Sequence, residues 1–322
     1  MLKLGYKLMS EEHGPAELVR NGRRAEAAGF DFAAISDHFS PWIEEQGHAP
    51  MVWPVLGALA QATERLGLMT AVTCPTMRYR PAIVAQFAAT MALLSNDRFT
   101  LGLGAGERLN EHVTGEGWPG RRERQERFAE ALDIIQGLLD GSLENYRGEH
   151  FRLDHARLFD RPKRKPPVAV AAGGPLAAKL AGENGDGLVA TEPSAELVEA
   201  FETAGGKGPR YAEVPLCCAE REEDARQTAH RYFRWALGGW AVQAELPDVD
   251  GFAAASAQAT PEAVAEVVSC GPSVEQHLAS IDRYLKVGFD HIILVQVGPD
   301  QDYFLDLFER ELAPALRSRT VA

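Results

Sequence analysis

Short apolar runs alternate along this chain with amphipathic stretches of helical spacing, beginning at the first residues. Residues 2–9 predict a strand, 15–28 a helix stopped by Gly29, and 31–36 a second strand. The pattern continues with a helix at 53–65, a strand at 67–74, a helix at 81–94, a strand at 98–104 and a long helix at 121–139. Past a turn-rich stretch at 162–167 the alternation resumes: strand 168–172, helix 175–183, strand 187–191, helix 195–204. A seventh strand is expected at 214–219 and an eighth at 290–297, followed by a closing helix at 302–316.

Most of these strands are continuously apolar and lack a period of two, which implies a parallel sheet covered on both faces. The expected fold is α/β, a closed (β/α)8 barrel of the TIM type. It takes residues 1–322 as one domain, with insertions at about 142–165 and 238–271. An open doubly wound sheet is the alternative. In either arrangement ligands meet the carboxyl ends of the strands, so those ends are where chemistry is expected.

Composition narrows the field. Lys and Arg total 33 against 46 Asp and Glu, a net charge of −13 that repels a phosphate backbone and argues against nucleic acid as a partner. No run approaches the roughly 18 apolar residues of a membrane span, and the first residues reach Glu11 and Glu12 before any leader-like segment, so a soluble cytoplasmic protein is expected. The four cysteines (Cys74, Cys217, Cys218 and Cys270) have neither disulfide-framework nor zinc spacing, and no metal site is predicted.

Five strand ends carry candidate chemistry. The second ends in Ser36-Asp37-His38-Phe39 with Trp42 shortly after: a possible base, a neighbouring carboxylate and a flat wall for a ring, though a histidine bonded to backbone fits equally. The third ends in Cys74-Pro75-Thr76 with Arg78 and Arg80, either solvated arginines or holders of an anionic tail. The fourth ends in Gly104-Ala105-Gly106-Glu107, followed by Asn110 and Glu111. Its glycines admit a ligand close to the backbone, and Glu107 is a second proton-exchanging group that would face His38. This run comes fourth and lacks the third spaced glycine, so it is a poor dinucleotide fingerprint. The fifth ends in Ala172-Gly173-Gly174-Pro175, a glycine turn opening a helix, as phosphate cradles do. Thr191 closes the sixth as a substrate hydrogen-bonder or a helix cap. Together these are the parts of a hydride-transfer site for a phosphorylated redox ring.

These segments, with Leu4-Gly5-Tyr6-Lys7, Gly47-His48-Ala49-Pro50 and Arg78-Tyr79, resemble the luciferase-like superfamily. Within it the chain is similar to coenzyme F420-dependent oxidoreductases of the glucose-6-phosphate dehydrogenase group. The resemblance runs nearly the whole length of the chain. It implies a TIM barrel, often a homodimer, with F420 as cofactor and a small molecule as substrate. It further implies His38 as the base, Glu107 as the group that protonates the ring near N1, and Trp42 as the wall of the reacting centre. Asp37, Ala71, Val72, Cys74, Gly106, Asn110, Gly173, Gly174, Leu176 and Ala177 match cofactor positions, and Ala71–Val72 matches a non-prolyl cis peptide. An FMN-dependent monooxygenase of the same superfamily is the alternative function, and a non-catalytic binding protein a more distant one.

One departure concerns substrate. Thr191 matches the sugar-phosphate threonine of that group, but Ser194 stands where a lysine is expected, and residues 235–282 contain no Lys or Arg. The same stretch carries Glu245, Asp248, Asp250, Glu262, Glu266 and Glu275, which predicts repulsion of a phosphate dianion. Glucose 6-phosphate is therefore not the expected substrate. An uncharged alcohol, sugar or ketone is, in a pocket made partly apolar by Trp235, Trp240 and Phe252 unless those rings only pack the insertion.

Overall fold

Runs such as Ile292-Ile293-Leu294 have no face to give to water. In the computed structural model, which describes residues 2–319, they lie in eight parallel strands: Lys3–Leu8, Phe32–Ile35, Gly67–Thr70, Phe99–Leu103, Val168–Ala171, Gly187–Ala190, Arg210–Cys217 and His291–Gln296. Each pairs with its successor, the seventh joining the sixth to the eighth through Leu188 beside Arg210 and Tyr211 beside His291. Lys3 beside His291 closes the ring from the other side. The sheet is therefore a barrel, not an open doubly wound sheet. Among the described residues no helix is long and apolar enough to cross a membrane.

Small and large side chains fill the cylinder. Phe32, Ala34, Met69, Ala71, Ala169, Val189, Tyr211 and Ile293 form its interior cluster, and Gly5 has no side chain because the Phe32 ring occupies that volume. Above this layer Lys7 spans the barrel, donating to the Ala71 carbonyl at 2.8 Å and to Glu213 at 2.5 Å. The outer core lies between strands and helices, for example where Phe30 stacks on Phe308 with ring centroids 3.6 Å apart.

Several boundaries differ from the apolar pattern. The third strand stops at Thr70 instead of continuing to 74, and the chain re-pairs only at Thr73 with Leu103; the Ala71–Val72 peptide between them is cis, as the resemblance implies. The seventh strand starts earlier, at Arg210. Its polar residues face partners instead of water: Arg210 is held by Asp290, and Glu213 by Lys7. Two helices went unassigned, Glu222–Phe233 and Val274–Lys286; they flank the late insertion. The closing helix is interrupted by a π turn at Phe308–Leu312, just before Pro314, whose nitrogen has no hydrogen to donate. The first insertion holds the hairpin Tyr146–Arg147 with Arg152–Leu153. The second holds three short helices, Trp240–Gln243, Val249–Ala255 and Pro261–Ala265, and ends in Ser269–Cys270, which pairs with the tip of the seventh strand.

Close strand approach sets one strict demand. A Cβ on Gly102 would lie 1.9 Å from the Thr70 carbonyl oxygen, whose residue also exchanges two side-chain hydrogen bonds with Gly102. Gly102→Ala should lower the unfolding free energy by about 3 kcal/mol, near the top of the usual range for overpacking. Urea denaturation measures this as a lower midpoint, and an unchanged midpoint would show that the two strands can separate freely.

Candidate active site

The second strand delivers Ser36, Asp37 and His38 to the barrel mouth, and the Asp37 carboxylate is wholly enclosed. Thr73 Oγ1 donates to its Oδ2 at 2.7 Å, and Arg78 Nη2 donates to its Oδ1 at 3.0 Å and to its carbonyl at 2.6 Å. The Arg78 backbone N–H donates to Glu111 at 3.0 Å, and its guanidinium lies 3.6 Å from the same carboxylate. Burial alone would lower the Arg78 pKa, but the Asp37 and Glu111 carboxylates outweigh it and the net shift is upward. Glu111 is pushed up to about 7 by its own burial, with Arg78 opposing. Arg78 is thus an internal counter-charge and Arg80 pairs with Glu116 at the surface, so neither holds an anionic tail as the sequence allowed.

His38 is buried, with four groups around its ring. Nδ1 lies 3.1 Å from the Ser40 carbonyl oxygen. A carbonyl can only accept, so Nδ1 carries the hydrogen of the neutral ring and Nε2 is the accepting nitrogen. Nε2 lies 3.5 Å from Glu11 Oε1 and 3.9 Å from Glu107 Oε1. The Trp42 indole meets the ring edge-on, with centroids 4.7 Å apart. The structure therefore brings together His38 and Trp42 from the end of the second strand and Glu107 from the end of the fourth, and adds Glu11.

The Asn110 carboxamide holds this arrangement. Its Oδ1 accepts from the Phe39 and Ser40 amides at 2.7 and 3.0 Å, and its Nδ2 donates to Glu107 Oε1. Both ends are occupied and the residue is fully buried. The enclosed carboxylate of Asp37 is in the same position.

Glu11 and Glu12 were missed by motif. Ser10-Glu11-Glu12-His13 follows the first barrel strand directly, and an acidic pair at that place is a signal in itself. Glu12 accepts from the Gly298 amide at 2.7 Å and from Gln46 Nε2 at 3.4 Å, while Gln46 Oε1 accepts from the Trp42 amide at 2.9 Å. Three loops are thereby fastened under Trp42. Burial, reinforced by Glu11, pushes Glu12 up to about 8.

Around the mouth, a Cβ on Gly106 would lie 2.6 Å from Cys74 Sγ, and its φ of +80° also favours glycine. Cys74 is buried against Thr76, whereas Gly173 is exposed, Gly174 is half-buried and no neighbour crowds the space above Gly174. Leu176 is 74% exposed and Phe39 58%, so large apolar surface is left uncovered at this end of the barrel. Thr191 is exposed, its carbonyl accepting from Tyr284 Oη at 3.0 Å. Trp42 stacks on Trp235 at 4.3 Å and meets Phe252 edge-on at 5.1 Å; Phe252 is fully buried and packs the insertion down. Glu245 is bound by Arg124 at 2.7 Å and Trp118 Nε1 at 3.0 Å, and Asp248 caps a helix. These two acids are therefore engaged elsewhere and do not supply the repulsion expected of them.

The family model described as luciferase-like monooxygenase matches residues 3–291. The chain belongs to this family. Within it, an F420-dependent glucose-6-phosphate dehydrogenase of Amycolatopsis mediterranei (strain U-32) is 36% identical, with 99% of each chain covered. One of Rhodococcus hoagii (strain 103S) is 38% identical, with 98% of each covered. Among solved structures, an F420-dependent secondary alcohol dehydrogenase in complex with an F420-acetone adduct superposes with a TM-score of 0.91 at 28% identity, covering 98% of this chain and 99% of that one.

The Glu12 shift sets a stability prediction. A carboxyl raised from 4.5 to about 8 on folding contributes stability that is complete below pH 4.5 and is lost as the pH rises through 8. Glu12→Gln should flatten that part of the curve, so the Tm difference between variant and parent should shift in the variant's favour from pH 5 to pH 8. Parallel Tm curves would rule out a buried, proton-binding Glu12.

Proposed function

We propose that the protein is a coenzyme F420-dependent oxidoreductase that transfers a hydride between F420 and a small alcohol, sugar or carbonyl substrate. The observation that carries this reading is the His38 Nε2, set between Glu11 and Glu107 against the Trp42 ring at the mouth of the barrel. Relatives and structural neighbours named as F420-dependent dehydrogenases support it.

The residues fit such a cofactor. The glycine turn at 173–174 leaves backbone approachable for an anionic tail, with Leu176 and Ala177 beside it, and Ala71, Val72, Cys74 and Gly106 form a close wall for a flat ring. When bound, F420 supplies a deazaflavin carbon that accepts or returns a hydride. His38 Nε2 takes the proton of a substrate hydroxyl, or gives it back in the reducing direction. The Glu11 carboxylate stabilises the imidazolium formed. Glu107, steadied by Asn110, holds a proton for the ring's N1 side. Trp42, braced by Trp235 and by the Gln46–Glu12 contacts, keeps water from the reacting face.

Thr191 is the proposed substrate contact, and with Ser194 in place of a lysine and no Lys or Arg at 235–282, an uncharged substrate is favoured over glucose 6-phosphate. A sugar phosphate would lose charge-assisted bonds worth about 1.5–3 kcal/mol each. On the resemblance alone, the reading extends to a homodimer and a cytoplasmic setting.

Purified protein should take up F420 in preference to FMN, with the deazaflavin absorption band moving on binding. It should turn over secondary alcohols or non-phosphorylated sugars, or the matching carbonyls with reduced F420, faster than glucose 6-phosphate. Uptake of FMN alone would move the assignment to the monooxygenase branch, and a glucose 6-phosphate rate above all neutral substrates would reverse the substrate reading. His38→Ala should lower kcat by roughly 10²–10⁴-fold with F420 affinity near that of the parent. Equal losses in both would make His38 a cofactor ligand instead of a base.

A further inference from the structure

The late insertion reaches the barrel mouth as a short clip anchored at both ends. On one side Trp235 stacks on Trp42. On the other, the Ala244 carbonyl accepts from the Arg108 amide at 3.0 Å, and Glu245 is held by Arg124 and Trp118. Gln243 crosses back between the anchors, donating to the carbonyls of Trp235 at 3.2 Å and Ala236 at 3.0 Å.

The clip carries Trp240 at its tip. Gly239 precedes it with φ +70° and no neighbour within 4 Å, a conformation that a side chain there would resist. The indole is 46% exposed, and among the described residues its Nε1 makes no hydrogen bond. It stands directly over Gly173: a Cβ built there would lie 3.1 Å from Trp240 Cδ1 and 3.6 Å from Nε1. Gly173 thus makes room for an indole as well as leaving its own backbone bare.

A large aromatic ring left half in water, with an unpartnered N–H beside the glycine turn proposed to receive an anionic tail, is arranged as a donor and cover for that tail. We propose that Trp240 clamps the phosphorylated tail of the deazaflavin cofactor over Gly173 and Gly174, so that the insertion as well as the barrel sets cofactor retention. This rests on the F420 reading above. Trp235 and Phe252 are spent on packing Trp42, which leaves Trp240 as the ring of the insertion free for a ligand.

The test compares F420 with the phosphate-free deazariboflavin, which shares the ring and lacks the tail. Affinities and dissociation rates are read from cofactor fluorescence in the parent, Trp240→Ala, Trp240→Phe and Gly173→Ala proteins. Trp240→Ala should release F420 about tenfold faster or more, the scale of one charge-assisted contact, while its affinity for deazariboflavin stays within about twofold. Trp240→Phe should recover part of the loss, since it keeps the ring and lacks the donor. Gly173→Ala should mimic Trp240→Ala, because the methyl takes the place of the indole edge. A parent protein that binds neither compound would overturn the F420 reading and the clamp together. A parent that binds F420 while Trp240→Ala releases it at the parental rate, or loses both compounds equally, would overturn the clamp alone.

Discussion

A single carboxamide joins the two loops that carry His38 and Glu107. Asn110 accepts from consecutive amides just past His38 and donates to Glu107, so the loop after the second strand and the loop after the fourth cannot move independently. The distance between a histidine nitrogen and a carboxylate is then set through the Asn110 side chain and the two amides it binds. Those bonds are partly buried, and a buried polar group left without a partner costs about 1–3 kcal/mol, so the fully buried Asn110 resists opening of the arrangement even without a ligand.

Around this joint the mouth concentrates acid. Glu11, Glu12, Asp37, Glu107 and Glu111 all lie in or beside the buried rim, against Arg78 and, deeper in the barrel, Lys7. Burying so many carboxylates is tolerable because each has a specific partner. Asp37 has Arg78, Thr73 and Tyr79; Glu12 has the Gly298 amide and Gln46; Glu111 has the Arg78 amide. Of the five, Glu11 and Glu107 turn toward His38. Both come within 4 Å of its Nε2, so the one ring nitrogen not turned to the Ser40 carbonyl faces carboxylates on two sides.

Legibility in the sequence followed exposure to local rules. The helix at 81–94 begins at a proline and is apolar on its packed face, and its bounds match those of the structure. The third strand could not be bounded correctly from its apolar run, because its single re-pairing at Thr73 is set by the neighbouring strand. His38, Trp42 and Glu107 were legible as candidates because each closes or follows a strand. The positioning role of Asn110 and the partners of Arg78 were not, since each depends on residues more than 30 positions away in the chain.

What the amino-acid order determined by itself was the alternation of elements, hence a parallel sheet covered on both faces, and with it the strand ends at which chemistry must sit; closure into a barrel came from the pairing of the first strand with the eighth. Periodicity and strand-ending residues are local properties that survive without tertiary information. Only the tertiary structure decided which rim residues face one another. It turned Arg78 inward to Asp37, diverted Glu245 to Arg124, placed Glu11 against His38 and laid Trp240 over Gly173. Those pairings follow from barrel closure and the path of the long insertion, which bring together groups whose separation in sequence carries no sign of their contact.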